Sequence, residues 1–204
     1  MALLVEYVGR EADGFHALVQ LAETAGIPVY DVDSRLNFPS RHPLNMTTKD
    51  VFRDADLILT LDARDWEKPT TELVSATREV RAIVPDGAKW IDIGFGDLEL
   101  SSWALDYQRL HHADIQILAD TTLAIPALTD LLKPRIAADS KLRDRIKVRA
   151  AETAQKSSAH REKWLEDAKE EWDASPITLP RLASEVWGAI QHEDWVLSAG
   201  TLGN

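Results

Sequence analysis

Five short apolar runs, each closed by turn residues and set apart by helix-spaced stretches, constrain this chain more than any other feature. They are residues 2–8, Pro28-Val29-Tyr30-Asp31-Val32, Asp56-Leu57-Ile58-Leu59-Thr60-Leu61-Asp62, Lys89-Trp90-Ile91-Asp92-Ile93-Gly94 and Ile115-Gln116-Ile117-Leu118. Between the first two, Phe15, Leu18, Val19, Ala22 and Ala25 recur at helical spacing, with Gly26 where a helix C-cap belongs and Pro28 just beyond. Short helices are expected around Lys49–Asp54 and Thr70–Thr77, a turn at Asp86-Gly87, and a helix through Leu123–Leu132. Strands that alternate with helices pair in parallel, because only a crossover can return the chain to the same edge. The expectation is an α/β fold: a Rossmann-like parallel sheet with helices on both faces and right-handed crossovers.

The second and third runs are joined by Ser34-Arg35-Leu36-Asn37-Phe38-Pro39-Ser40-Arg41-His42-Pro43-Leu44-Asn45. That loop is long and decorated for a connector, and it leaves the carboxyl end of a strand, where open α/β sheets place ligands. His42 is the best-placed candidate in it, since Pro43 holds it extended. A second reading has His42 hydrogen-bonded to the loop backbone and shaping it. Asp62, Arg64 and Asp65 follow the third strand and either meet a ligand or cap the next helix.

Past Pro134 the character changes. From Asp139 to Trp172 there is no Pro or Gly, charge is dense, and the apolar stripe is thin. This predicts one long surface helix or two end to end, whose basic first half reads as a solvated face because no aromatics interleave. Ser175-Pro176 marks a boundary. Beyond it Leu179, Leu182, Ala183, Val186, Trp187 and Ile190 form an amphipathic helix, with Thr178 as N-cap and Pro180 in its first turn. Asp194–Ser198 then reads as a strand, so the end of the chain looks like an unfinished second α/β unit.

Composition removes several functions. Thirty-four acidic against 23 basic residues, a net charge of -11, argue against nucleic acid and anionic membranes as partners. The absence of cysteine excludes disulfides, thiolate metal sites and a Cys nucleophile, and fits a cytoplasmic protein. The apolar start is too short and acidic for a signal peptide, and no run approaches the length of a membrane span. Trp90, Trp103 and Trp187 sit among apolar neighbours and are expected in the core. Gly94-Phe95-Gly96 fails as a dinucleotide loop because Glu99 stands at the third glycine position, and no Walker A sequence occurs. His111-His112 point apart and make a poor metal pair.

Taken in order, these pieces resemble the central domain of the thiamine-diphosphate enzymes of the acetolactate synthase, benzoylformate decarboxylase and pyruvate decarboxylase group. The resemblance runs through Leu21–Val29, Phe38-Pro39 with His42-Pro43-Leu44, Ala55–Leu61, Trp90–Ile93 and Ile115–Asp120, about residues 2–132 in all. It implies a helix and strand, a loop with His-Pro, an "ADLIL" strand, an "I-D-I" strand and a strand ending in Ala-Asp. It also implies a central domain over 1–134, a helical linker over 135–175, and the start of a diphosphate-binding domain over 176–204. Gly200, Thr201 and Leu202 would then lie against the cofactor's diphosphate, where glycine lets amides approach an anion. Arg35, Asn37, Phe38 and His42 would line the substrate entrance or an interface.

The same resemblance names what the chain lacks: the pyrimidine-binding domain with its activating glutamate, and the Gly-Asp-Gly…Asn stretch that holds Mg²⁺. The chain alone is therefore expected to be inactive, with thiamine diphosphate and Mg²⁺ bound only in a complete enzyme built with the missing domains, as a homo-oligomer. Some members hold FAD in this domain; the failed glycine pattern gives FAD no support here. The competing expectation is a stand-alone Rossmann-like module that binds a nucleotide or a partner without catalysis.

Overall fold

The computed structural model describes residues 1–8, 11–32, 36–95 and 112–196. The chain divides into two compact units, Met1–Ser158 and Ala159–Asn204.

The first unit is built on a five-stranded parallel sheet of β1 (Ala2–Val5), β2 (Val29–Asp31), β3 (Leu57–Leu61), β6 (Lys89–Gly94) and β7 (Ile115–Leu118), in the spatial order β2-β1-β3-β6-β7. All five expected strands are present. A single parallel bridge between Val29 and Asn45 adds a sixth chain pass outside β2. There the Val29 amide donates to the Leu44 carbonyl at 2.9 Å, and the Met46 amide donates to the Val29 carbonyl at 2.8 Å. The loop after β2 thus returns along its own strand and partly shields that edge. The strand order reverses between β1 and β3, which opens a crevice at their carboxyl ends.

Side chains alternate across the sheet with period two and fill two cores. On one face Leu3, Val5, Leu59, Leu61 and Ile93 pack with Leu18, Leu21 and Ala22 of α1 (Ala12–Ala25) and Ile125 of α3 (Thr121–Ala138). On the other, Leu4, Ile58 and Trp90 meet Phe52 of a 3-10 turn (Lys49–Phe52), Trp66 and Ile83. Trp66 and Trp90 stack there at 5.9 Å between ring centroids.

The helix expected near Thr70–Thr77 is replaced by a one-turn α2 (Glu67–Thr70) and an antiparallel hairpin, β4 (Thr71–Val74) with β5 (Glu79–Ala82). The hydroxyls of Thr70 and Thr71 donate to the carbonyls of Trp66 and Glu67, and Thr71–Val74 then pair across strands with Glu79–Ala82. The helix expected to stop near Leu132 runs on through Pro126 and Pro134 to Ala138, with both prolines on its exposed side.

The long charged helix is α4 (Ser140–Asp167), whose first amides are met by Asp139. Up to Ser157 it is more than a solvated face. Ile146, Thr153 and Ser157 are buried, and Ser157 Oγ donates to the Asn45 carbonyl at 2.9 Å. Arg149 donates to the carbonyls of Ala25 and Gly26, where α1 ends in a left-handed Gly26 at φ 58°. A Cβ on Gly26 would lie 2.7 Å from the Ile146 carbonyl oxygen, so glycine serves both the cap and the close approach of α4. Burial pushes the Arg149 pKa below the ordinary guanidinium value, while Asp56 pulls it the other way.

The second unit takes in the end of α4 and α5 (Leu179–Ile190). Thr178 caps α5, its hydroxyl accepting from the Arg181 amide, and Pro180 sits in the first turn, as the sequence indicates. Trp187 is 41% exposed rather than core, and meets the Trp195 ring edge-on at 6.0 Å between centroids. Trp103 lies outside the described residues. The strand expected over Asp194–Ser198 is absent from Asp194–Val196, and its last two residues lie outside the described chain. Among the described residues no helix is long and apolar enough to cross a membrane.

Candidate functional site

The carboxyl edge of the sheet carries a cleft of about 240 Å³, lined by Tyr7, Val8 and Glu11 after β1, Phe95 after β6, and Asp120, Thr121 and Thr122 after β7. Topology assembles it: parallel strands deliver their carboxyl ends to one edge, and the order reversal leaves a gap there.

Beneath it lies Asp62, 4% exposed and at φ 46° directly after β3. Its Oδ1 accepts from the Phe95 amide at 3.0 Å and its Oδ2 from the Thr121 hydroxyl at 2.6 Å. One buried carboxylate thereby ties β3 to the turn after β6 and to the start of α3. Gly94 makes room for it, since a Cβ at that position would lie 2.5 Å from Asp62 Oδ1. Gly14, in the first turns of α1, has the same logic: a Cβ would meet the Val8 carbonyl oxygen at 2.4 Å.

A second buried carboxylate, Glu6, accepts from the Arg64 amide at 2.7 Å and pairs with the Arg64 guanidinium at 3.7 Å. That guanidinium also donates to the Tyr7 hydroxyl and lies 4.5 Å from the Tyr7 ring centroid. Asp65 behaves differently, accepting from the amides of Glu67 and Lys68 at the start of α2. The three polar residues after β3 therefore divide. Asp65 caps a helix, whereas Asp62 and Arg64 organise the sheet edge.

The lining is suited to holding rather than reacting. Thr121 donates to Asp62, and the Thr122 amide and hydroxyl both reach Asp120 Oδ1 at 2.8 Å. Asp62 and Asp120 each also accept a backbone amide, so these hydroxyl–carboxylate pairs tie the turns of the sheet edge together. The described lining also does not fit a nucleotide phosphate. Asp120 takes the first-turn amide of α3 that an anion would use, and Glu11 stands at the start of α1. Among the described residues no group of three or more His, Asp or Glu side chains could hold a metal ion.

Asn37, Phe38 and His42, singled out by sequence, do not line this cleft. Asn37, 2% exposed, donates its amide and Nδ2 to Asp31 at 2.9 and 2.8 Å, and Nδ2 also reaches the Glu6 carbonyl at 2.7 Å. Phe38, 1% exposed, is part of the α1-side core and meets the His42 ring edge-on at 4.7 Å. His42 accepts from the Leu44 amide through Nδ1 at 3.1 Å and meets Glu23 of α1 through Nε2 at 3.2 Å. In this unit all three fasten the loop to the sheet and to α1. Arg35, Gly200, Thr201 and Leu202 lie outside the described residues, as do Gly96, Glu99 and His111.

Sequence reasoning left Asp62 between a ligand contact and a helix cap, and passed over Tyr7, Glu11, Phe95 and Thr121. The available signal was polarity at the ends of successive predicted strands: Glu6-Tyr7, Asp62 and Asp120-Thr121.

No protein-family model and no curated protein matches the chain. Among solved structures it is similar to one from Mycobacterium smegmatis, provisionally described as a thiamin diphosphate-dependent enzyme. Identity is 21%, the TM-score 0.37, and the match covers 64% of this chain. It spans only 24% of that chain's length.

Proposed function

We propose that this chain is the central part of a thiamine-diphosphate- and Mg²⁺-dependent enzyme that decarboxylates or ligates 2-oxo acids, in the manner of acetolactate synthase. The observation that supports this reading is an order of elements. Leu21–Val29 form the end of α1 and β2, His42-Pro43 lies in the following loop, and Asp56–Leu61 enter β3. Trp90–Ile93 fall within β6, and Ile115–Asp120 cover β7 and the cap of α3. These are the elements, in sequence, that the resemblance implies. In this reading the cofactor supplies the bond-breaking chemistry. The present chain supplies a rigid sheet that shapes the substrate channel, within a homo-oligomer completed by pyrimidine-binding and diphosphate-binding domains. Gly200, Thr201 and Leu202 would reach the diphosphate.

The test is carbon dioxide release from pyruvate and benzoylformate by the natural assembly containing this chain, with and without thiamine diphosphate and Mg²⁺. Cofactor-dependent release is expected, and its absence with every 2-oxo acid tried would overturn the reading. The isolated chain should give no tight calorimetric signal with the cofactor and Mg²⁺; a Kd below about 1 μM would contradict its being inert alone.

A second reading, a Rossmann-like module that binds or interacts without catalysis, draws on the cleft. The Thr121 and Thr122 hydroxyls are engaged in holding carboxylates, and the acidic lining favours a partner or a cationic group over a nucleotide. Retention of FAD or an adenine nucleotide through purification would count against that form of it.

A further inference from the structure

Four hydrogen-bond donors at the carboxyl-edge cleft are already turned onto carboxylates of the same edge. The Phe95 amide and the Thr121 hydroxyl donate to Asp62, and the amide and hydroxyl of Thr122 donate to Asp120 Oδ1. The Glu11 and Asp120 carboxylates lie on the lining, beside Val8 and Phe95. Glu11 stands at the N-cap position of α1, yet its side chain bonds no first-turn amide. No Lys or Arg among the described residues pairs with it.

Charge decides the sign of a ligand here. Helices α1 and α3 both begin at the cleft, and two helix N-termini together present about one positive elementary charge. Against them stand two full carboxylates on the lining and a third, Asp62, beneath it. No Lys or Arg is among the described lining residues. The nearby Arg64 guanidinium is held by Glu6 at 3.7 Å and by the Tyr7 hydroxyl. The balance is negative, and low-dielectric walls focus such a field, so a cation is drawn in and an anion repelled. A volume of about 240 Å³ gives room for a small organic molecule rather than a bare ion.

We infer that the cleft is a binding site for a small primary amine with an apolar body. Its ammonium would donate to Glu11 and Asp120, and its body would lie against Val8 and Phe95. An ammonium carries three donors and no acceptor, which suits a lining whose own donors are engaged. A hydrogen bond between two ionised groups is also roughly twice as strong as a neutral one. The inference rests on the reading of this chain as a binding module and adds the class of ligand to it.

The test follows the amides of Phe95, Thr121 and Thr122 by NMR in the full chain, titrated at neutral pH with phenethylamine, 2-phenylethanol and phenylacetate. These probes share a body and differ in charge. Saturable shifts are expected with the amine at a Kd of about 1 mM or below, with binding at least about tenfold weaker for the alcohol and none for the acid. Glu11→Gln should weaken the amine by about tenfold, as should Asp120→Asn, which keeps a cap on α3. Asp86→Asn, on an exposed turn, should leave its affinity unchanged. Equal affinity for amine and alcohol, or amine binding indifferent to both Glu11→Gln and Asp120→Asn, would overturn the inference. Silence with every probe would overturn it too, while the module reading would stand for a protein partner. Shifts with phenylacetate or with AMP in place of the amine would remove both.

Discussion

Leu3, Leu4, Phe38 and Phe52 are fully or almost fully buried in the first unit, whereas the second unit has no buried residue up to Val196. Both regions contain amphipathic helices with suitable caps. α1 lays Leu18, Leu21 and Ala22 on a sheet, and α5 presents Leu179, Leu182 and Val186 to solvent. The contrast teaches that an apolar stripe encodes the need for a partner without supplying one. Helical stability in proteins comes mostly from packing of that stripe, so substitutions of like chemistry should act very differently in the two regions.

The largest effect is expected at Gly94, whose φ of 153° disfavours any side chain and whose Cβ position is already filled by Asp62. Gly94→Val should destabilise the first unit by about 4 kcal/mol or prevent its folding, measured as a shift of the urea midpoint. A loss under about 1 kcal/mol would mean that β6 and Asp62 are not packed as described. Phe38→Ala comes next. It removes a ring from a closed core and should cost about 3–4 kcal/mol in the same measurement, despite lying in a loop. A near-neutral result would return Phe38 to the role of a surface residue.

A smaller loss, about 1–3 kcal/mol, is expected for Arg149→Ala, which leaves the carbonyls at the end of α1 without their donor. Amide exchange should then quicken over Ala22–Gly26 and over the first half of α4. If only α4 loosened, the two helices would not be coupled through this side chain. Leu182→Ala should change the stability of the isolated chain by less than about 0.5 kcal/mol, since the side chain is exposed there. The same substitution in the assembled protein should weaken association measurably. Equal effects in the two settings would erase the distinction between the units.

Much of the fold was legible because its signals are local. The five strands stand out as apolar runs between turn residues, Gly26 marks the end of α1, and Thr178 marks the start of α5. The β4–β5 hairpin was not, because its turn over Ser75–Arg78 lacks glycine and places Arg78 at φ 59°. A left-handed arginine leaves no sign in composition. The loop after β2 was located correctly, but the burial of Phe38 and the pairing of Asn37 with Asp31 depend on a return along Val29 that no spacing announces. The docking of α4 rests on Arg149 reaching carbonyls more than a hundred positions away, and a charge-rich helix gives no hint of it.

Sequence by itself determined the parallel α/β architecture, because periodicity and turn chemistry act within a few residues. It also determined that α5 has one apolar face. Tertiary structure alone decided that Asp62, Thr121 and Phe95 meet at one sheet edge, and that Asn37, Phe38 and His42 secure a loop. It alone separated a helix whose stripe is covered from one whose stripe is not. Contacts between distant segments depend on strand order and crossover geometry, which local residue patterns do not carry.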